Sequence, residues 1–418
     1  MPCLATRRPA RARWCAPFET ESTPVVCVFS RAGALSATQL AHPRPHPSQQ
    51  PPTRRALLSA AGGLALSLAA AGALPLAAPP AARAAQVLSS SWEKVTLPVA
   101  ADIILLDLAF VPDEPDRGFL LGTRQTLLET NDGGKTWEAR SVAAAQEEDI
   151  NYRFNNISFS GKEGWIVGKP AILLHSSDSG ATWERIPLSA KLPGTPTLIT
   201  ALGGGKAEMA TDEGAIYVTS DVAQTWKAAV EETVAATLNR TVSSGIQGAS
   251  YYTGTFSSVK RNPDGSYIGL SSRGNFYMTW EPGQAYWQPH NRNAARRIQN
   301  MGWRSDGGIW LLTRGGGIFL SNQAGVPESD DDFEEAKVGS RGFGILDLTY
   351  RNEKEAWACG GSGSLFVSAD GGKSWKRDRG TDDLPGNLYD VKFEQGGAKG
   401  FVLGNEGVLL RWISPSSA

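Results

Sequence analysis

An all-β fold, a seven-bladed propeller of four-stranded antiparallel blades, is predicted by three features of this 418-residue sequence. The first is a repeated phrase. Thr130–Trp137 read TNDGGKTW, Ser176–Trp183 read SSDSGATW and Ser368–Trp375 read SADGGKSW, with a worn copy, TSDVAQTW, at Thr219–Trp226. The pattern Ser/Thr-x-Asp-x-Gly-x-Thr/Ser-Trp is that of an Asp-box. Its Asp bonds its own backbone and its Gly accepts positive φ, so a tight hairpin forms and the Trp opens the next strand. The second feature is a Gly-containing turn followed by an apolar strand, repeated seven times. Aligned on Leu127, Leu173, Ile216, Phe276, Ile318, Leu365 and Leu409, the copies are spaced by 46, 43, 60, 42, 47 and 44 residues. That is the period of a propeller blade. The third is composition: 46 Gly and 13 Trp suit many short strands and tight turns.

Taken in order, residues 1–53 are rich in Arg, Ser, Ala and Pro and nearly free of acid, a transit-peptide composition. Arg54-Arg55 then precede a mildly apolar run, 56–78, and the small-residue signal Ala82-Arg83-Ala84. Twin Arg, apolar core and A-x-A predict a twin-arginine (Tat) signal over 54–84, cut after Ala84. The rival reading is a retained membrane span, which the length of the run allows but Gly62, Gly63, Gly72 and Pro75 disfavour. A transit peptide followed by a Tat signal implies the chloroplast envelope and then the thylakoid, with the mature domain, 85–418, in the lumen.

Within 85–418 each blade reads alike. Strand A is apolar, as in LYDVKF (388–393). Strand B carries an aromatic near Gly, as in GWIVG (164–168) and EAWACG (355–360). Strand C precedes the Asp-box and strand D follows it. The last blade reaches strand C at 409–413 and the chain stops. Trp92 lies 45 residues before Trp137, in phase with the Asp-box tryptophans, so Ser91–Val95 is predicted to supply the missing strand D and close the ring.

Charge removes some functions. Nine of the 41 basic residues and two of the 42 acidic ones precede residue 86, which leaves 32 against 40, a charge of −8 on the mature domain. A general nucleic-acid binder is not built that way. Three of four Cys lie in the leader, and Cys359 sits in an apolar strand, as a core residue. His175 and His290 are the only downstream imidazoles, so no metal set is predicted and no cofactor is implied. His290, in a polar segment, reads as a hydrogen-bonding residue rather than a pigment ligand.

Against that negative background, residues 290–304 hold Arg292, Arg296, Arg297 and Arg304 without an acid. Propeller topology places A–B and C–D turns at one end, and B–C turns and D–A connections at the other. Arg124, Lys169, Arg273 and Arg314 fall on B–C turns; Arg153, Arg240 and Arg341 fall on D–A connections. With Arg292, Arg296 and Arg297 they are predicted to share one face. Arg304 and Arg351 fall on A–B turns and stand apart. Such a face suits carboxylates, which guanidinium groups bond in bidentate fashion, and it speeds encounter with an acidic partner. The Asp-boxes, at the other end, read as structural.

The run SSRGNFYMTWEPGQAYWQPHNRNAARRIQNMGWRSDGGIWLLTRGG (271–316) resembles the photosystem II stability and assembly factors of chloroplast and cyanobacterial thylakoids. INYRFNNISF (150–159) and LNRTVSSGIQGASYYTGTF (238–256) carry the same resemblance, which spans essentially all of 86–418. It implies a non-enzymatic lumenal factor that binds newly made reaction-centre core subunits and early photosystem II intermediates. Contact with the membrane would run through those protein partners, and the factor itself is expected to be a monomer. The family's Arg-rich patch maps onto Arg240, Arg273, Arg292, Arg296, Arg297 and Arg314. One departure is Ala223, which stands where the third Asp-box should have Gly and bears on turn stability.

The alternative is a glycoside hydrolase. Sialidases also combine Asp-boxes with an Arg cluster, and Arg185-Ile186-Pro187 copies their short motif. Here it follows a box on strand D instead of preceding the first one, and Tyr251-Tyr252 lack an obvious Glu partner. Asp212, Glu213 and Glu406 lie on B–C turns, but nothing in the sequence gathers two of them around one cleft.

Overall fold

A computed structural model describes residues 85–146, 150–230, 255–292, 294–325, 327, 332–339 and 344–413. The predicted transit peptide, the Tat signal and the rival membrane span all lie outside these residues. The described residues form seven sheets, each with a core of four antiparallel strands. Blade 1 is Leu105–Val111, Glu114–Gly122, Leu127–Thr130 and Glu138–Arg140. Blade 2 is Arg153–Ser160, Glu163–Lys169, Ile172–Ser176 and Glu184–Ile186, and blade 3 is Pro196–Gly203, Lys206–Thr211, Ile216–Thr219 and Lys227–Val230. Blade 4 is Phe256–Arg261, Tyr267–Ser271, Phe276–Trp280 and Gln288–Asn291; blade 5 is Ile298–Trp303, Ile309–Thr313, Ile318–Ser321 and Phe333–Glu335. Blade 6 is Ile345–Tyr350, Ala356–Gly360, Leu365–Ser368 and Ser374–Asp378.

Blade 7 takes strands A to C from the C-terminus, Leu388–Glu394, Lys399–Gly404 and Leu409–Trp412, and strand D from Trp92–Val95. Trp92 pairs with Trp412 and Val95 with Leu409, antiparallel. The N-terminal strand therefore closes the ring, as the in-phase Trp92 predicts. Two short strands extend the four-stranded plan. Gln86–Val87 adds to the outer edge of blade 7. Lys337–Val338 pairs in parallel with Ser374–Trp375 on blade 6.

Apolar side chains pack between adjacent blades. Phe119 of blade 1 stacks on Phe159 of blade 2, with ring centroids 5.5 Å apart, and meets Trp183 edge-on. Cys359 is fully buried, and burial pushes its thiol well above the ordinary range, which suits a core residue.

The innermost strands carry a polar seam. In each strand A the pairing register shifts near its start, for example between Leu105 and Asp107 and between Ile345 and Asp347. This bulge re-aims the following residue toward the next blade. Asp107 accepts hydrogen bonds from Ile157 N (2.9 Å) and Asn156 Nδ2 (2.6 Å), and Asn156 Oδ1 accepts from Ile199 N (2.8 Å). Asp347 accepts from Val391 N (3.1 Å), Asn300 Nδ2 (2.8 Å) and the Lys260 ammonium (3.0 Å). Half-buried Asp390 is pushed well above the carboxylate range, first by burial and then by the charge of Asp347. The bonds to backbone amides and Asn side chains tie neighbouring blades, Lys260 reaches from blade 4 to blade 6, and together they satisfy carboxylates that are otherwise costly to bury.

Each Asp-box is a closed hydrogen-bond unit. In the first, Asp132 Oδ1 accepts from the amides of Lys135 and Thr136, both at 2.9 Å, and Oδ2 from the Thr136 hydroxyl at 2.6 Å. Trp137 lies beneath the turn and donates Nε1–H to Gly134 O (3.1 Å). Asp178, Asp221 and Asp370 repeat the carboxylate bonds. All four carboxyls lie below the usual range. At Asp132, Asp178 and Asp370 burial acts upward and is outweighed by the hydrogen bonds, and Asp370 reaches about 2; at Asp221 the Thr225 hydroxyl is the largest influence, downward. A depressed folded-state pKa adds stability above the unfolded value, and that stability is lost as pH falls through the folded value. We expect the unfolding midpoint in urea to be insensitive to these groups from pH 5 to 7, then to drop between about pH 4 and pH 2. Replacing Asp370 by Asn should flatten that drop.

The third box holds Val222 at φ 57° and Ala223 at φ 59°, where the first and fourth boxes have Gly-Gly and the second Ser-Gly. Positive φ strains a β-branched residue. Val222 is 41% exposed, so its removal forfeits little burial. Val222→Gly is expected to stabilise the fold by about 1 kcal/mol, read as a higher urea midpoint; an unchanged or lower midpoint would show that the turn is relaxed as it stands.

Candidate arginine-rich binding face

The B–C turns and the starts of the A strands are laced together at one end of the ring. Thr123 N donates to Ile104 O of its own blade and Gln125 N to Tyr152 O of the next. Blade 7 repeats this with Asn405 N to Asn387 O and Gly407 N to Ile103 O. At the junction of blades 4 and 5, Ser272 N donates to Thr255 O, Ile298 N to Gly274 O, and Arg314 N to Arg297 O. B–C turns and D–A connections therefore share an end, as the topology predicts.

Five of the nine predicted arginines come together there. Arg273 stands on the B–C turn of blade 4. Arg292, Arg296 and Arg297 stand on the connection to blade 5, and Arg314 on the B–C turn of blade 5. Arg292 Nη1 donates to Asn275 Oδ1 (3.4 Å), and Arg296 Nη1 to Arg314 O (3.5 Å). Arg273, Arg296, Arg297 and Arg314 are exposed and Arg292 is half-buried. Among the described residues none of the five has a carboxylate partner.

Most of the other described arginines are ion-paired. Arg117 pairs with Glu114 and Glu129, Arg261 with Glu208, Arg351 with Glu355, and Arg411 with Glu93. Arg304 pairs with Asp306 on its A–B turn. Of the remaining predicted residues, Arg124 shares the end but is ion-paired to Asp102. Arg153, exposed, opens strand A of blade 2, away from the junction of blades 4 and 5. Arg240 and Arg341 lie outside the described residues.

Sequence reasoning missed two groups. Asn275 escapes notice because a lone Asn on a turn usually bonds its own backbone. The inner seam escapes because charged residues on a strand read as solvent-facing. Its signal is a polar residue recurring near the start of strand A: Asp107 in LLDLAF, Asn156 in RFNNISF, Asn300 in IQNMGW, Asp347 in ILDLTY and Asp390 in LYDVKF.

No hydrolytic constellation assembles among the described residues. Asp212 accepts from Thr195 N (2.6 Å) and lies 3.9 Å from Lys169. Arg185 lies over the Tyr152 ring at 5.6 Å. His290 bonds Thr279 Oγ1 (2.8 Å) and stacks on Tyr277, and burial holds its pKa below the ordinary value. No group of three metal-ligating side chains converges among the described residues. Tyr251-Tyr252 lie outside them.

Comparison with known proteins gives consistent matches. The profile of the photosynthesis system II assembly factor YCF48 family matches residues 84–413. The photosystem II stability/assembly factor HCF136 of Arabidopsis thaliana is 61% identical over 361 residues, 86% of this chain and 87% of that protein. The photosystem II assembly lipoprotein Ycf48 of Trichormus variabilis is 49% identical over 323 residues, 77% of this chain and 86% of that one. Among solved structures, YCF48 from Cyanidioschyzon merolae superposes with TM-score 0.71 at 45% identity, covering 77% of this chain and 98% of that one. A YCF48 bound to a D1 peptide superposes with TM-score 0.67 at 41% identity, covering 77% and 97%.

Proposed function

This chain belongs to the photosystem II assembly factor YCF48 family, and from that membership we propose that it binds the newly made D1-type reaction-centre core subunit through the arginine face. It is a chloroplast protein of photosystem II assembly, like its HCF136 relatives. The observation that carries the site is the set of five arginines at the junction of blades 4 and 5, which lack carboxylate partners among the described residues, where most of the other described arginines are ion-paired. We assign Arg240 and Arg341, which lie outside the described residues, to the same client site on the sequence alone, and Arg153 and Arg124 lie farther round the face. The YCF48 structure carrying a D1 peptide supports a reaction-centre segment as the client.

The bipartite leader, a transit peptide over 1–53 and a Tat signal over 54–84, delivers the domain 85–418 to the thylakoid lumen. There it acts without catalysis. The arginines capture an acidic or carboxylate-bearing lumenal segment, and later subunits release it by competing for the same surface. Binding energy resides in charge-assisted hydrogen bonds, which salt screens. The test is fluorescence anisotropy of labelled lumenal D1 segments with residues 85–418 from 20 to 500 mM NaCl. At least a tenfold loss of affinity is expected over that range. Salt-independent binding would remove the arginines from the account.

A further inference from the structure

Resting on the client site just proposed, we infer that Gly315 and Asn275 are positioning residues that fix Arg296 and Arg292 on opposite sides of the junction of blades 4 and 5, so that the site takes a segment bearing two separate carboxylates. Gly315 has φ +107°, and a Cβ built on it would stand 2.4 Å from Arg296 Nη1. The Arg296 head thus lies directly against the blade 5 turn, with one N–H on Arg314 O. A guanidinium has five N–H groups, so four remain for a ligand. Any side chain at position 315 displaces this head.

Arg292 is held from the other side. Its Nη1 bonds Asn275 Oδ1 on the blade 4 turn. That turn is itself locked to the junction: Ile298 N donates to Gly274 O, and a Cβ on Gly274 would come 2.1 Å from Ile298 O. The two anchors belong to different blades, so the two heads are fixed independently. Among the described residues no side-chain bond holds the exposed heads of Arg273, Arg297 and Arg314. Fixed guanidinium groups recognise carboxylates with defined geometry, because less side-chain entropy is lost on binding. The other three supply attraction without register.

The experiment is a double-mutant cycle. One side uses Gly315→Ala and Asn275→Asp; the second variant sets a carboxylate against Arg292. The other side uses synthetic lumenal D1 peptides with each Asp or Glu changed in turn to Asn or Gln. Gly283→Ala is the strain control, since Gly283 has φ +96° with nothing within 4 Å of its Cβ position. Each site variant is expected to weaken binding of the unaltered peptide about tenfold, while Gly283→Ala leaves it unchanged. The loss from Gly315→Ala should vanish with one peptide acid removed, and the loss from Asn275→Asp with a different one. Wild-type affinity in both variants, or coupling of both to the same acid, overturns the inference. Should Gly315→Ala fail to fold by thermal melting, Asn275→Asp together with Arg296→Lys keeps both halves of the cycle. If Arg292, Arg296 and Arg297 changed together to Glu still bind the peptide, the client site itself is wrong, which is a distinct result.

Discussion

Changing Arg292, Arg296 and Arg297 together to Glu is expected to weaken binding of a lumenal D1 segment by roughly a hundredfold or more. The substitution moves the patch by six charge units. An exposed ion pair contributes about 0.2–1 kcal/mol, and reversal converts each attraction into a repulsion of similar size. Three positions then cost about 3 kcal/mol, and every 1.4 kcal/mol is tenfold. The fold should survive, because none of the three side chains is a core residue; Arg296 and Arg297 are exposed and Arg292 is half-buried. An unchanged thermal transition beside lost binding is the expected pair of results. Reversing Lys354, Lys373 and Lys376 to Glu, on blade 6 around its A–B turn, Asp-box and strand D, makes the same change of charge outside the Arg patch and should leave binding nearly intact.

The largest expected stability effect lies at the ring closure. Trp92 is fully buried, meets Trp357 edge-on at 5.2 Å and lies beside Phe393 at 6.2 Å. Its backbone pairs with Trp412, so one residue ties the N-terminus to the last blade and packs it against blade 6. Trp92→Ala should cost about 3–5 kcal/mol, the range for removing a buried aromatic. A chain beginning at residue 97 should fare worse. It leaves the edge of Leu409–Trp412 unpaired, an open template for another chain, and the expected outcome is aggregation on refolding, read by light scattering. A monomeric, cooperatively melting 97–418 would show that the ring does not depend on this strand.

Much of this architecture is visible in the sequence because its repeat is local. Leu127, Leu173, Ile216, Phe276, Ile318, Leu365 and Leu409 each fall in a strand C. The in-phase Trp92 discloses ring closure. Lys337–Val338 could not be foreseen: two residues have no periodicity, and their parallel pairing depends on where the connection happens to run. The inner seam is hidden for a different reason. Lys260 reaches Asp347 across 87 residues, and only the closed ring brings them together. At the candidate site, topology alone sorts the arginines onto one end. It cannot tell that Arg124 is neutralised by Asp102, since that depends on the path of the preceding connection.

The most direct test of the central claim asks which end of the ring the client touches. Cys359 is the one cysteine in 85–418 and is fully buried, so an introduced cysteine can carry a photo-crosslinker alone. Ser272→Cys places it beside Arg273 on an exposed turn, and Lys135→Cys places it in the first Asp-box at the opposite end. A D1 lumenal peptide is expected to crosslink at position 272, salt to suppress the product, and position 135 to stay unlabelled. Efficient crosslinking at 135 with none at 272 would contradict the central claim and move the client to the Asp-box end.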